Sequence, residues 1–90
     1  MPGALNNYAW EFYEKVEDKT YLTKAETWAR KATELEATYA YLDTHAALLY
    51  KLGRKAEAKT AAEKAIAAGK QEKEDVADTE ALLVKINALK

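Results

Sequence analysis

Apolar residues recur along this chain at steps of three and four, the spacing of one face of an α-helix. Leu5, Tyr8, Ala9, Phe12 and Val16 make the first stripe and predict a helix over residues 4–16. A polar break at 17–20 follows, with Thr20 placed to cap the next helix. Leu22, Ala25, Trp28, Ala29, Ala32 and Leu35 predict that helix over 21–36. Leu42, Ala46, Leu49 and Tyr50 predict a third over 39–52, ended by Gly53. Ala58, Ala61, Ala62, Ala65 and Ile66 predict a fourth over 55–68, ended by Gly69. Beyond a polar link, Val76, Leu82, Leu83, Ile86 and Leu89 predict a last helix over 75–89. Asp75 and Asp78 fall in its first turn, where negative charge suits the helix dipole. The single proline, Pro2, is expected to lie outside any element. The short connections make neighbours in sequence pack antiparallel.

The pattern repeats itself. Ala25 and Ala32 are echoed by Ala58 and Ala65, and the segment 7–13 is echoed by 44–50. The offset is that of a helical hairpin, and repeats of such hairpins stack into solenoids. Ala46, the run Tyr50-Lys51-Leu52-Gly53, Ala58 and Ala65-Ile66 resemble the tetratricopeptide (TPR) pattern. That pattern sets a small residue in the first helix, an aromatic before the turn glycine, and two small residues in the second helix. The first unit resembles it through Ala9, Tyr13, Ala25, Trp28 and Ala32, with extra residues where the tight glycine turn would be. The proline that often closes a unit is missing from both copies. The resemblance implies an all-α fold, antiparallel hairpins stacked as a short TPR-like α-solenoid of about five helices. A single domain over 1–90 is expected, with hairpins at 4–36 and 39–69 and a capping helix at 75–89. The segments 5–10 and 42–44 are also similar to helical repeats attached to bacterial thioredoxin-family proteins.

Composition narrows the function classes. Nineteen of the 90 residues are alanine, so the 49% hydrophobic fraction overstates the bulk available for a core. Fourteen basic residues against 15 acidic ones lack the electrostatic footprint of a nucleic-acid or anionic-membrane binder. Neither partner is expected. No apolar run reaches the roughly 18 residues that span a bilayer, and the first residues do not read as a signal peptide. A cytoplasmic location is the default expectation, or a periplasmic one within a thioredoxin-family parent. The chain has no cysteine, which excludes disulfides, thiol nucleophiles and zinc knuckles.

Catalytic chemistry finds few residues to use. His45 lacks a serine or cysteine partner, and Asp43, two residues away, faces another direction on a helix. His45 reads as a packed or partly exposed core side chain. The pairs Glu11/Glu14 and Glu34/Glu36 read as solvated faces. Lys51, Arg54, Lys55 and Lys59 cluster near one turn, diluted by Glu57 and Glu63. A non-enzyme without metal or cofactor is expected.

All nine aromatic residues fall between Tyr8 and Tyr50. In tetratricopeptide arrays the first helix of each hairpin lines a concave groove. The resemblance would put Asn7, Trp10, Tyr13 and Glu14 there from one unit, and Asp43, Thr44, Ala47 and Lys51 from the next. Trp10 either lies in that groove or packs against a neighbouring hairpin. Repeats that hold chaperone C-terminal carboxylates use a lysine and an asparagine on this face. Asn6 and Trp10 stand in their places, so that specificity is not expected. The expected function is a non-catalytic module binding a protein or peptide, as a monomer, with a homodimer as the alternative. Two other readings stay open: an accessory domain of a larger enzyme, and an engineered repeat without a natural ligand.

Overall fold

The computed structural model describes residues 2–89; residues 1 and 90 of the expected domain lie outside them. Five α-helices are present, α1 (Pro2–Lys15), α2 (Lys19–Leu35), α3 (Tyr39–Lys51), α4 (Lys55–Gln71) and α5 (Ala77–Asn87), and no strand occurs among the described residues. Each helix packs on the next in sequence. In addition α1 packs on α3, and α3 on α5, whereas among the described residues α2 and α4 are not in backbone proximity. The molecule is therefore a two-layer slab of 35 × 34 × 19 Å, with α1, α3 and α5 in one layer and α2 and α4 in the other.

α3 is the centre, touching all four other helices. Its buried residues run almost round its circumference: Leu42, Thr44, Ala46, Ala47, Leu48 and Leu49. The one-sided stripe expected for this helix was too narrow, because a helix packed against four others buries more than one face. Leu48 packs with Ala9, Leu22, Ala25 and Ala29 on one side. Ala46 and Leu49 pack with Ala58, Ala61, Ala62 and Ile86 on the other. The alanine stripes of α2 and α4 are buried. Small side chains at a contact let helix axes approach closely, which is how this chain fills a core with little bulk.

Several boundaries differ from expectation for local reasons. Pro2 opens α1 instead of preceding it, since the first turn of a helix has no use for its missing N–H. α2 starts at Lys19, two residues early, because Asp18 is its cap: the Asp18 carboxylate accepts from the Thr20 N–H at 2.8 Å. α5 is shorter than expected at its start, where Asp75 accepts from the Ala77 N–H at 2.9 Å. Two residues expected to face inward do not. Leu35 closes α2 and is 58% exposed, and Tyr8, on α1, is 60% exposed, its ring meeting Trp28 in an edge-type pair.

The end of α4 is the instructive correction. Gly53 ends α3 with φ 76° in a Schellman turn: Arg54 N–H donates to Leu49 O and Gly53 N–H to Tyr50 O. α4 ends in the same turn, with Glu74 N–H donating to Gly69 O and Lys73 N–H to Lys70 O. The left-handed residue there is Lys73, at φ 61°, and Gly69 lies inside the helix, buried. A Cβ on Gly69 would meet Val76 Cγ1 at 2.3 Å and Tyr39 Cδ1 at 2.9 Å. This glycine is kept for close approach, not for its backbone freedom. Gly69→Ala should destabilise by about 1–2 kcal/mol, overpacking outweighing better helix propensity. Lys73→Gly should stabilise by up to about 1 kcal/mol by relieving the left-handed side chain. Urea melts of the two variants check both signs.

Candidate functional site

The layer of α1, α3 and α5 bounds a trough with α3 as its floor. Its larger part encloses about 820 Å³. α1 supplies one wall through Asn6, Asn7, Trp10, Glu11 and Glu14. Tyr39, Asp43 and Thr44 form the floor. The α4–α5 turn and the start of α5 supply the far wall through Glu72, Glu74, Asp75 and Asp78. A smaller part of about 320 Å³ shares Trp10, Asp43 and Asp78 and adds Tyr13, Ala47, Leu82 and Lys85.

Helix register places each of these side chains. Asn7, Trp10 and Glu14 recur at three and four residues on α1, one row facing away from the buried Ala9. Trp10 is 37% exposed and stacks on Tyr13, ring centroids 5.0 Å apart at 26°. Asp43 is held from α5: the Tyr39 hydroxyl donates to Thr79 Oγ1, and Thr79 donates to Asp43 Oδ1, each over 2.7 Å. Thr79 is fully buried, so this relay ties the far wall to the floor. Glu72 also ties the far wall to the floor, accepting from the Tyr39 backbone N–H at 2.9 Å.

Of the eight residues expected on this face, seven line the two parts of the trough. Thr44 and Ala47 do so as buried floor, not as exposed contacts, because α3 is enclosed; the Thr44 hydroxyl donates to its own helix at Ala40 O. Lys51 is not in the lining. Its ammonium donates to Tyr13 O, sits over the Tyr13 ring at 5.3 Å and pairs with Glu17 at 3.4 Å. It steadies the aromatic end of α1 from the side.

The sequence reading missed the acidic far wall. Seven carboxylates line the larger part of the trough and no lysine or arginine does, although the chain as a whole is nearly neutral. None of the seven is in an ion pair among the described residues, whose bridges involve only Glu17, Glu26 and Glu57. The field is felt by its neighbours. Burial, and then Asp78, raise the Asp43 carboxyl above its usual value against the lowering hydrogen bond from Thr79. Burial also raises Tyr13 and Tyr39, with further contributions from Tyr50, Asp43 and Glu14 at Tyr13, and at Tyr39 from Asp43, Asp78 and Asp75 against the lowering hydrogen bond with Thr79. The carboxylates are spread along the trough: among the described residues, no three His, Asp or Glu converge to hold a metal ion.

Because the folded chain holds the Asp43 proton more tightly than the unfolded chain, this group's contribution weakens as pH rises from 3.8 through the folded value. Asp43→Asn keeps an acceptor for Thr79 and should flatten that decline. Melting curves of both proteins from about pH 4 to about pH 7 measure it.

A second groove of about 500 Å³ lies between α2 and α4, floored by Leu42, His45 and Leu49. Its rim mixes Arg30 and Lys64 with Glu34 and Glu57, so it has no dominant sign. Beside it the sequence missed a buried carboxylate. Glu26, 3% exposed, lies 2.8 Å from His45 Nε2 and accepts from Arg54 at 3.3 Å. Arg54 in turn grips Glu57 through both carboxylate oxygens, at 3.0 and 2.7 Å. His45 is thus a packed, paired side chain. A signal for Glu26 existed: it stands four residues after Leu22 and three before Ala29, on the inward stripe. Thr79 likewise stands three residues after the buried Val76 and seven before the buried Ile86.

No helix among the described residues is long and apolar enough to cross a membrane. No family model matches the chain, and neither the curated proteins nor the solved structures contain a significant match to it.

Proposed function

We propose that this chain is a tetratricopeptide-like interaction module that binds an extended protein segment in the trough floored by α3. The observation that carries the reading is the half-exposed Trp10–Tyr13 stack set in a trough large enough for several side chains. An exposed tryptophan beside asparagines offers a ligand both apolar area and backbone hydrogen bonds. The helix starts support the repeat: α1, α3 and α5 begin at Pro2, Tyr39 and Ala77, and α2 and α4 at Lys19 and Lys55. The module acts as a monomer, with α5 closing the stack over Ala58, Ala61 and Ala62.

Selection of a random peptide library against the 90-residue chain tests the binding reading. In a Trp28→Phe background, Trp10 is the sole tryptophan. Selected peptides are expected to change Trp10 fluorescence and to lose binding with Trp10→Ala. Peptides that bind with Trp10 fluorescence unmoved, or no enrichment at all, would count against the trough. Light scattering across a hundredfold concentration range is expected to give one monomer mass throughout.

A further inference from the structure

We infer that the segment taken by the trough is cationic: an extended polypeptide whose lysine or arginine side chains lie over Glu11, Glu14, Glu74 and Asp78, with an adjacent apolar residue against Trp10. This rests on the proposed reading of the trough as a peptide groove. The argument for the charge is independent of the one for the groove. The carboxylates come from both walls, so a ligand lying between them meets negative charge on either side. Among the described residues none of them is neutralised by an ion pair. Three are occupied by structural hydrogen bonds, Asp43 with Thr79, Glu72 with the Tyr39 N–H and Asp75 with the Ala77 N–H. Glu11, Glu14, Glu74 and Asp78 have no such duty and are exposed.

Their distribution speaks for a chain over a point charge. A metal ion needs three or more ligands converging on one place, and these carboxylates do not converge. Basic side chains along an extended backbone are spaced by two residues per face, which matches charges strung along a trough. The smaller part of the trough differs in holding a cation. There Trp10, Tyr13, Ala47 and Leu82 stand beside Asp43 and Asp78, and among the described residues Lys85 is the one basic residue in the lining of either part. A ligand bearing positive charge throughout would meet Lys85, so the cationic stretch belongs at the Glu74 end and the apolar residue at the Tyr13 end. Inside the larger part, Asn6 Oδ1 is shielded from solvent and has no hydrogen-bond partner among the described residues. It is an acceptor without a donor in the same wall as the carboxylates of Glu11 and Glu14, which again favours a ligand rich in N–H groups.

The test titrates the full chain with three labelled peptides of about ten residues, long enough to cross the slab when extended. One alternates lysine with alanine and ends in leucine; the second replaces lysine with glutamate; the third replaces it with glutamine. Anisotropy gives affinity, and amide and indole NMR shifts give location. The lysine peptide is expected to bind at least about tenfold tighter than the other two, with shifts at Trp10, Asn6 and Asn7. Its affinity should fall about tenfold between about 50 and about 300 mM salt. The double reversal Glu11→Lys with Glu14→Lys should abolish binding, while reversal of Glu34 and Glu63, exposed residues outside this trough, should leave it within about twofold.

The failures are distinguishable. Equal or tighter binding of the glutamine or glutamate peptide at Trp10 overturns the cationic inference and leaves the groove standing. Shifts confined to α2 and α4, or no binding by any peptide, overturn the groove reading itself. Equal loss from both charge reversals overturns the inference in favour of general attraction to acidic surface. Spermine binding as tightly as the lysine peptide overturns the requirement for a polypeptide.

Discussion

Leu48→Ala should lower the free energy of unfolding by about 3–4 kcal/mol, within the range for leucine truncations in closed cores. Leu48 is fully buried on the central helix in a cluster with Ala9, Leu22, Ala25 and Ala29, and Phe12, Tyr13, Val16, Trp28 and Leu52 pack against that cluster. The cavity left in a close-packed core adds to the bare transfer free energy. A domain of this size has a total stability of roughly 5–13 kcal/mol, so the variant would sit near the threshold of folding. A fall in Tm of about 12–25 °C is the expected reading by calorimetry or circular dichroism. The matched control is Leu35→Ala, at the exposed end of α2, expected within about 0.5 kcal/mol of the parent. Equal effects at the two positions would refute the enclosure of α3.

Glu26→Ala is the second large effect, expected at about 2–3 kcal/mol. The carboxylate is buried between His45 of α3 and Arg54 of the α3–α4 turn, so one acid on α2 engages the first helix of the second hairpin and its turn. Removing it leaves a cavity and strips His45 of its partner. Loss of one member of a buried pair costs about 3–5 kcal/mol, because the other charge stays behind unpaired. The figure is lower here because the Arg54 side chain is 36% exposed and keeps Glu57. Glu26→Gln retains an acceptor and should cost about 1 kcal/mol. A double-mutant cycle with His45→Ala should return a coupling of about 1–2 kcal/mol, and a value near zero would show that the contact is incidental.

The fold was legible in the sequence where its causes are local. A stripe at three and four residues, a glycine before a polar residue and an alanine row are properties of segments shorter than twenty residues, and helices form from contacts of that range. The helix order, the hairpin spacing and the Gly53 turn were all readable for this reason. The errors came where one residue type serves two purposes. Gly69 was read as a terminator, as Gly53 is, but its hydrogen atom makes room for Val76 and Tyr39, residues on other segments. Leu35 satisfied a stripe but closes α2 in an exposed position, and Leu48 failed a stripe on a helix that packs against all four others.

The candidate site divides in the same way. The row Asn7, Trp10 and Glu14 was legible because one helix presents it. The sign of the trough was not. Its acids come from α1 near the beginning of the chain and from the α4–α5 turn near the end, and in sequence each is diluted by nearby lysines. His45 read as a core side chain and Arg54 as one of a basic cluster, and neither was linked to Glu26 until α2, α3 and the turn met. By itself the sequence determined the helices, their number and their pairing, because backbone hydrogen bonding and side-chain periodicity act within a few residues. Only the tertiary structure decided which charges face one another, because electrostatic potential depends on distance in space, and packing brings together groups that the chain keeps far apart.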